Sequence, residues 1–414
     1  MSNNAKHVAP KKPTDRADGT SARREDWVRE DAAYVGRAAG GGNKSGNKSG
    51  KTKKKGWKRA LLIVLIVVAV LVILAEVLYL IFGHFYSKMN FSTGLTDSER
   101  AAAIAGVVLE DEDDDFTPDE NLTVVTDEET DEIHALIQSQ LNANGGSMIS
   151  DSDVINILLI GTDARSLSER ARSDVMMLVS VNRKTDKIVL TSFMRDIYTY
   201  IPGYGYNRLN APNAIAGPDY LIETLEADFG IEINNYALVN FYAFADIIDV
   251  LGGIDLYLTN AEVDFINKQA YYGEQADLGV GTGAVYLDYS SDGWYHLNGT
   301  QALAHCRNRS SSGSDYDRTE RQRTVIGTLI GAAKSASLSE LYNLADTILP
   351  MVTTDLTQGD CLSLLLKSAD YLTYDVESVR IPAVDYSGAM ISGMSVIQVD
   401  FSTNAAYLQD IIYN

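Results

Sequence analysis

Residues 1 to 56 are polar and lack apolar periodicity, and they include the low-complexity run Gly-Gly-Gly-Asn-Lys-Ser-Gly-Asn-Lys-Ser-Gly. Such a segment cannot bury enough apolar surface to offset chain entropy, so a disordered tail is expected over 1–56. Ala60 to Phe82 is then apolar throughout, with Glu76 as its one charge. As a helix this run extends about 35 Å at ~1.5 Å per residue, enough to cross a bilayer. The leader before it is too long for a signal peptide and no A-x-A site follows, so a retained anchor is expected over 57–83. Glu76 lies near its outer end, where snorkelling to the interface explains it better than an intramembrane function.

The pattern changes again over 84–150, which reads as a stalk. Thr96-x-x-Glu99 has the form of a capping box opening a short helix through Leu109. Glu110 to Asp115 is a solvated acidic run. Ile133, Leu136, Ile137 and Leu141 fall on one helical face, and Asn144-Gly145-Gly146 ends that helix.

From Asp153 the periods alternate. Val154–Ile160, Val175–Val181 and Ile188–Phe193 read as strands, with a turn at Asn182–Asp186 joining the last two. Gly217-Pro218 opens a helix that stops at Gly230. A strand at Tyr236–Phe241, a helix at Ala243–Leu251 and a strand at Ile254–Leu258 follow. Residues 268–297 form a Gly- and Tyr-rich insert, read as a hairpin packed on its own aromatics in preference to a sugar-stacking surface. Helices are expected at Thr300–Cys306, Arg318–Ser335, Tyr342–Pro350, Gly359–Tyr371 and Asn404–Ile412, with strands at Ser378–Pro382 and Val396–Asp400. Alternating strands and helices imply a three-layer α-β-α domain over 151–414, and the hairpin makes its central sheet mixed.

Charge divides the same chain sharply. Residues 1–59 carry 16 Lys+Arg against 6 Asp+Glu, whereas residues 84–414 carry 19 against 49. Basic residues before the apolar run and acids after it place the N-terminus in the cytoplasm and the large domain outside, on a single pass. A body this acidic is not a nucleic-acid reader. Outside the cytoplasm Cys306 and Cys361 are permitted to pair, but the sequence does not set their distance.

Against that acidic background five arginines fall between 307 and 323, in C-R-N-R-S-S-S-G-S-D-Y-D-R-T-E-R-Q-R. Guanidinium forks bind phosphate or carboxylate in a bidentate way, so the cluster asks for an anion. Asp317 reads as the N-cap of the following helix with Glu320 as its capping-box partner, which puts Arg318 and Arg321 in the first turn against the helix dipole. Arg318, Arg321 and Gln322 share one face. Three other charged segments punctuate the strands: Gly161-Thr162-Asp163-Ala164-Arg165, Arg172-Ser173-Asp174 and Ser192-Phe193-Met194-Arg195-Asp196. The hairpin brings Asp174 and Arg195 to one sheet edge, and Asp163 joins them if the first strand runs parallel to the third. Taken one by one these are ordinary loop acids and ion pairs. Together they suit Mg²⁺ (or Mn²⁺) held by Asp163 and Asp174 and phosphate held by arginines, the constellation of phosphoryl transfer. The histidines have no partners at metal-ligand spacing, and no Gly-x-Ser-x-Gly elbow is present.

At these residues the chain resembles the LytR-CpsA-Psr family of bacterial cell-wall enzymes. The resemblance runs over 154–335, through N-I-L-L-I-G-T-D-A-R, R-S-D-V-M-M-L-V-S-V-N, S-F-M-R-D, R-L-N-A-P-N-A-I-A-G-P, V-N-F, L-N-G-T-Q-A-L-A-H-C-R-N-R and D-Y-D-R-T-E-R-Q-R. It implies transfer of a phosphate-linked glycopolymer, such as teichoic acid or capsular polysaccharide, from undecaprenyl pyrophosphate to peptidoglycan. By motif, Asp163 and Asp174 resemble the acids that hold Mg²⁺ and pyrophosphate. Arg195, Arg307, Arg309, Arg318 and Gln322 resemble the pyrophosphate-binding groups, and Asp315 the acid that orients the last arginines. Arg321, Arg165 and Arg208 are weaker candidates. Three positions depart from the family pattern: Phe193-Met194 replaces Ile-Pro, Arg208 stands where Lys is common, and Cys306 replaces a non-cysteine. The rival readings are a non-catalytic regulator that binds lipid pyrophosphate or glycan, and a polyprenyl-pyrophosphate hydrolase.

Overall fold

The computed structural model describes residues 53–107, 109, 123–144, 148–164, 166, 169–272, 287–288, 291–308 and 315–414, with backbone alone for 53–65, 67, 74, 270–272, 315–316, 333 and 338. The expected tail over 1–56, the acidic run at Glu110–Asp115 and most of the Gly- and Tyr-rich insert lie largely outside these residues. The chain divides into two units, Met1–Val68 and Ala69–Asn414.

The first helix, α1, covers Lys53–Tyr86, and its Val68–Tyr86 portion is long and apolar enough to cross a membrane. After it come β1 (Asn90–Phe91), α2 (Asp97–Gly106), β2 (Thr123–Val124) and α3 (Asp127–Asn144). The central strands are β3 (Val154–Thr162), β4 (Ser173–Asn182) and β5 (Lys187–Phe193), followed by a short hairpin of β6 (Tyr198–Ile201) and β7 (Gly205–Arg208). Next are α4 (Ala211–Ala216), α5 (Pro218–Phe229), β8 (Asn235–Asn240), α6 (Phe241–Val250), β9 (Ile254–Leu258) and α7 (Asn260–Tyr272). β10 (Gly293–Leu297), α8 (Gly299–Arg307), α9 (Asp315–Ser335), α10 (Leu338–Ile348), β11 (Thr353–Thr354) and α11 (Gln358–Tyr371) lead to β12 (Asp375–Ile381), β13 (Tyr386–Ile391), β14 (Met394–Val399) and α12 (Phe401–Tyr413).

The central sheet has the order β1-β11-β8-β3-β4-β5-β12. β4 is antiparallel to both β3 and β5, so those two run parallel, and β8 and β12 add parallel to them. The sheet is mixed, with helices on both faces. On one face Val154, Leu158 and Ile160 of β3, Met176 and Leu178 of β4 and Phe193 of β5 pack with α3, α5 and α12. On the other, Ile155, Ile157 and Leu159 of β3 are only half-buried. A second apolar cluster joins α6, α7, α8 and α9 to the ribbon of β9 and β10. Ile254–Leu258 is therefore a strand, but it pairs outside the central sheet.

The segment expected as a stalk packs on the domain instead. Ile137 and Leu141 of α3 enter the main core, and α2 lies on α4. The capping box at Thr96 and Glu99 is formed, with both reciprocal hydrogen bonds. Leu136 leaves the expected buried face and is 58% exposed. Gln140 takes that place, and its Oε1 accepts from Phe401 N at 3.0 Å, so the buried stripe follows positions 133, 137, 140 and 141. The apolar helix also ends on the domain. His84 Nε2 lies 2.9 Å from Asp346 Oδ1, Lys88 pairs with the same carboxylate, and the Phe85 ring meets Tyr342 edge-on at 4.8 Å.

Candidate functional site

The strand register builds one edge of charge. Thr162 pairs with Ser173 across an irregularity after Gly161, so Asp163 and Asp174 are adjacent to one register pair. A Cβ on Gly161 would sit 3.0 Å from the Val175 Cβ, which explains a glycine where the strands approach closely. Asp163 is exposed, immediately past β3. On the third strand, Met176 pairs with Phe193, which sets Arg195 beside the start of β4. The guanidinium Nη1 of Arg195 donates to Asp174 Oδ1 at 2.6 Å, and its side chain is 9% exposed.

Phe193-Met194 fixes this loop in its own way. Both side chains are buried in the main core, and Met194 N donates to Ile381 O at 2.9 Å. Proline at position 194 would lack that donor. Asp196 stands between two cations, 3.5 Å from Arg195 Nε and 3.8 Å from Arg208 Nε. Arg208 also donates to Ser395 O at 3.0 Å, so it braces the loop from β7. The sequence reading gave Asp196 no role, although the Arg-Asp dipeptide beside a strand end was its signal.

The arginine cluster supplies the facing side. Arg307 ends α8, where a cation suits the helix dipole, and its guanidinium lies 5.0 Å from the Phe241 ring centroid. Arg318 and Gln322 are buried on α9, at 4% and 7% exposure. Burial alone would raise the Asp174 carboxyl, but Arg195, Arg318 and Arg307 together outweigh it and hold Asp174 below its ordinary value. Asp174, Arg195, Arg307 and Arg318 thus form one electrostatic group at the strand ends, the usual ligand crevice of an α/β sheet.

Two expectations about α9 change. The helix begins at Asp315, so Asp317 lies inside it and is not the N-cap, and Arg321 falls beyond the first turn. Two acids in that first turn suit the positive end of the helix, which accounts for the earlier start. Arg321 also turns away from the site. Its Nε donates to Glu262 Oε1 at 2.9 Å and its Nη1 to Asn308 O at 2.8 Å. Glu262 in turn accepts from Thr259 N at 2.9 Å, tying α9 to the start of α7. His305 lies 4.0 Å from the same carboxylate, and burial is the main cause that pushes its imidazole down to about 4. A separation of 59 positions between Glu262 and Arg321 hid this pair from local sequence patterns.

Arg165 and Arg309 lie outside the described residues, and Asp315 is described by its backbone alone. Cys306 and Cys361 are both free thiols. Among the described residues no group of three or more His, Cys, Asp or Glu side chains is placed to hold a metal. The pair Asp163 and Asp174 fits a hard cation that draws its remaining ligands from phosphate oxygens and water, because Mg²⁺ is commonly held that way and Asp174 is kept ionised despite its burial.

Similarity to known proteins identifies the family. A TagU of Bacillus cereus strain AH820, a polyisoprenyl-teichoic acid–peptidoglycan teichoic acid transferase, is 32% identical over 264 residues, covering 62% of this chain and 79% of the relative. The solved structure of TagT bound to LIIa-WTA matches with a TM-score of 0.50 at 26% identity, over 64% of this chain and 93% of that one. A protein of Streptococcus agalactiae matches in fold with a TM-score of 0.53 at 24% identity, over 63% of this chain and 88% of its own. A model of the LytR_cpsA_psr family matches residues 121–411, and on that span this chain belongs to the family.

Proposed function

We propose that this protein transfers a phosphate-linked glycopolymer from a polyprenyl pyrophosphate carrier to peptidoglycan, releasing polyprenyl phosphate. The observation that carries this reading is the half-buried Asp174 carboxylate paired with Arg195 at 2.6 Å in the strand-end crevice, with Arg318 and Arg307 close enough to act on its charge. Guanidinium forks gathered at the strand ends suit the oxygens of a pyrophosphate. Similarity to TagU, named as a teichoic acid transferase, supports the same class of reaction.

In the proposed step an acceptor hydroxyl of the glycan attacks the phosphorus joined to the polymer. The new P–O bond forms as the bond from that phosphorus to the bridging oxygen breaks. Arg195, Arg307 and Arg318 hold the charge that develops on the departing polyprenyl phosphate, where fixed donors cost no reorganisation. The hydroxyl proton passes to an exposed carboxylate such as Asp163 or to water. Asp163 and Asp174 would hold Mg²⁺ (or Mn²⁺) with phosphate oxygens, and the cation would supply neutralisation of the pyrophosphate. The half-covered apolar face of Ile155, Ile157 and Leu159 suits a prenyl chain. The apolar helix α1 suits a single-pass anchor, with the basic residues before it in the cytoplasm and the domain outside.

The test uses the full chain in detergent with a lipid-pyrophosphate oligosaccharide and Mg²⁺, with and without peptidoglycan fragments. Transfer product that appears only with acceptor is expected. Release of oligosaccharide phosphate without acceptor would show a hydrolase, and binding without turnover a regulator. Arg307→Ala is expected to lower transfer by about 10²–10³-fold, the cost typical of removing one preorganised charge-stabilising group. Unchanged transfer by that variant overturns the assignment.

A further inference from the structure

The pairing of β3 with β4 ends at Thr162 and Ser173, so Ala171 and Arg172, which lead into Asp174, lie outside the ladder. They are held from the side, by the segment 209–215 that runs from the end of β7 into α4. Asn210 is its centre. The Asn210 N–H donates to Arg195 O at 3.2 Å, and its carbonyl accepts from Ser173 N at 3.2 Å and from Ser173 Oγ at 3.4 Å. One residue thereby joins the backbone beside Asp174 to the backbone of Arg195. Leu209 N adds a bond to Ile197 O at 2.8 Å.

Asn213 reaches the same approach with its side chain. Its Nδ2 donates to Ala171 O at 2.7 Å, and Arg170 Nη1 donates back to Ile215 O at 3.3 Å. Ser173 is fully buried, and Asn210 and Asn213 are each 2% exposed. The bonds at Asn210 are made by peptide groups, so most side chains there would preserve them. The bond at Asn213 needs a side-chain donor. Asn213 Oδ1 is buried and makes no hydrogen bond within the protein. Burying an amide with its acceptor unused costs stability. Its neighbours Ala211, Ile215 and Ala216 are buried in an apolar cluster, where packing alone calls for an apolar side chain. The one bond that the Asn213 amide makes goes to the chain leading into Asp174.

We propose that Asn213 is a positioning residue: by holding Ala171 O it sets the approach to Asp174, so that this carboxylate meets Arg195 in the crevice. It acts through the backbone and touches no reacting group. Preorganised sites depend on supports of this kind, because a carboxylate on a loosened approach no longer stays at one distance from its partner. The ligand arm of the test rests on the function proposed above, and the thermal arm does not.

The experiment takes the full chain in detergent. In the ligand arm, inorganic pyrophosphate with Mg²⁺ is titrated calorimetrically. Asn213→Ala is expected to weaken binding about three- to tenfold, the range that one neutral hydrogen bond is worth. Tyr220→Phe is the control. It removes a buried hydrogen bond to Pro202 O from the same apolar cluster, at the far end of the β6–β7 hairpin. It is expected to lower the melting temperature comparably and to leave pyrophosphate affinity unchanged. Equal binding by wild type and Asn213→Ala overturns the proposal, as does equal weakening by Tyr220→Phe. In the thermal arm, Asn213→Ala is combined with Asp174→Asn and melting is followed without ligand. The shift caused by Asn213→Ala is expected to shrink in the Asp174→Asn background, because part of it is the Asp174–Arg195 pair. Equal shifts in the two backgrounds overturn the proposal. Asn213→Ser, whose hydroxyl is one bond shorter, replaces Asn213→Ala in both arms if the latter does not fold. A wild type that binds no pyrophosphate tells against the proposed function, and the thermal arm then decides the positioning role by itself.

Discussion

Asp174 is half-buried and Asp228 fully buried, and their surroundings push the two carboxyls in opposite directions. Asp174 is held low because Arg195, Arg318 and Arg307 outweigh its burial. Asp228 is fully buried in α5 with one hydrogen bond, from Thr199 Oγ1 at 2.6 Å, while its Oδ2 has no partner, and burial pushes it well above its ordinary value. The linkage signs differ accordingly. A depressed carboxyl adds stability above its ordinary value near 3.8, and this is lost as pH falls through the lower folded value. A raised carboxyl gives full stability below 3.8 and loses it as pH rises toward the folded value. Asp174→Asn is therefore expected to destabilise at pH 7, by up to about 3 kcal/mol because Arg195 stays buried without its carboxylate, with the difference shrinking at pH 3. Asp228→Asn is expected to raise the melting temperature at pH 8 and to leave it near wild type at pH 3. Melting curves of the two variants across pH 3–8 check both, and parallel profiles would refute the opposite signs. The Asp174–Arg195 pair was legible in sequence, because a hairpin of known length puts the start of one strand beside the end of the next. Asp228 was not, since its chemistry comes from burial that no local pattern encodes.

Helix α8 shows what a single glycine decides for an element. A Cβ on Gly299 would lie 2.0 Å from Ala245 O, so α8 approaches the backbone of α6 as closely as only glycine permits. Asn298 and Gln301 close a capping box at the same end, and Arg307 stands at the other. Gly299→Ala is expected to push the two helices apart, costing at least about 1–3 kcal/mol as overpacking does, and to lower transfer by moving Arg307. Chemical denaturation and the transfer assay read the two effects, and a stable, fully active Gly299→Ala would refute this packing. Helices with punctuation at both ends were readable, as Pro218 and Gly230 bounding α5 show. The hairpin of β6 and β7 was missed. Its Tyr-rich strands are four residues each, too short for a period of two to stand out. The start of α9 was misplaced because Asp317 and Glu320 also satisfy the spacing of a capping box without forming one.

At the scale of the molecule, the apolar run and the charge reversal across it were plain in the sequence. What lay beyond reading was that the chain after the run folds back on α10 and α4 rather than standing off as a stalk. Asp346 draws His84 and Lys88 to α10, and the hydrogen bond from Lys88 is the main cause holding its carboxyl below the usual value. Exposed ion pairs contribute little to global stability, so Asp346→Ala is expected to leave the melting temperature nearly unchanged. Its effect belongs to local opening: hydrogen exchange over residues 87–92 is expected to quicken. Unaltered exchange there would mean that the Phe85–Tyr342 contact and the pairing of β1 with β11 hold the junction without Asp346.

That junction leaves the protein almost no tether. Tyr86 closes α1 and Asn90 already opens β1, which pairs with β11 at the edge of the central sheet. A pull along the helix is therefore handed to that sheet edge within a few residues, with no slack chain to absorb it.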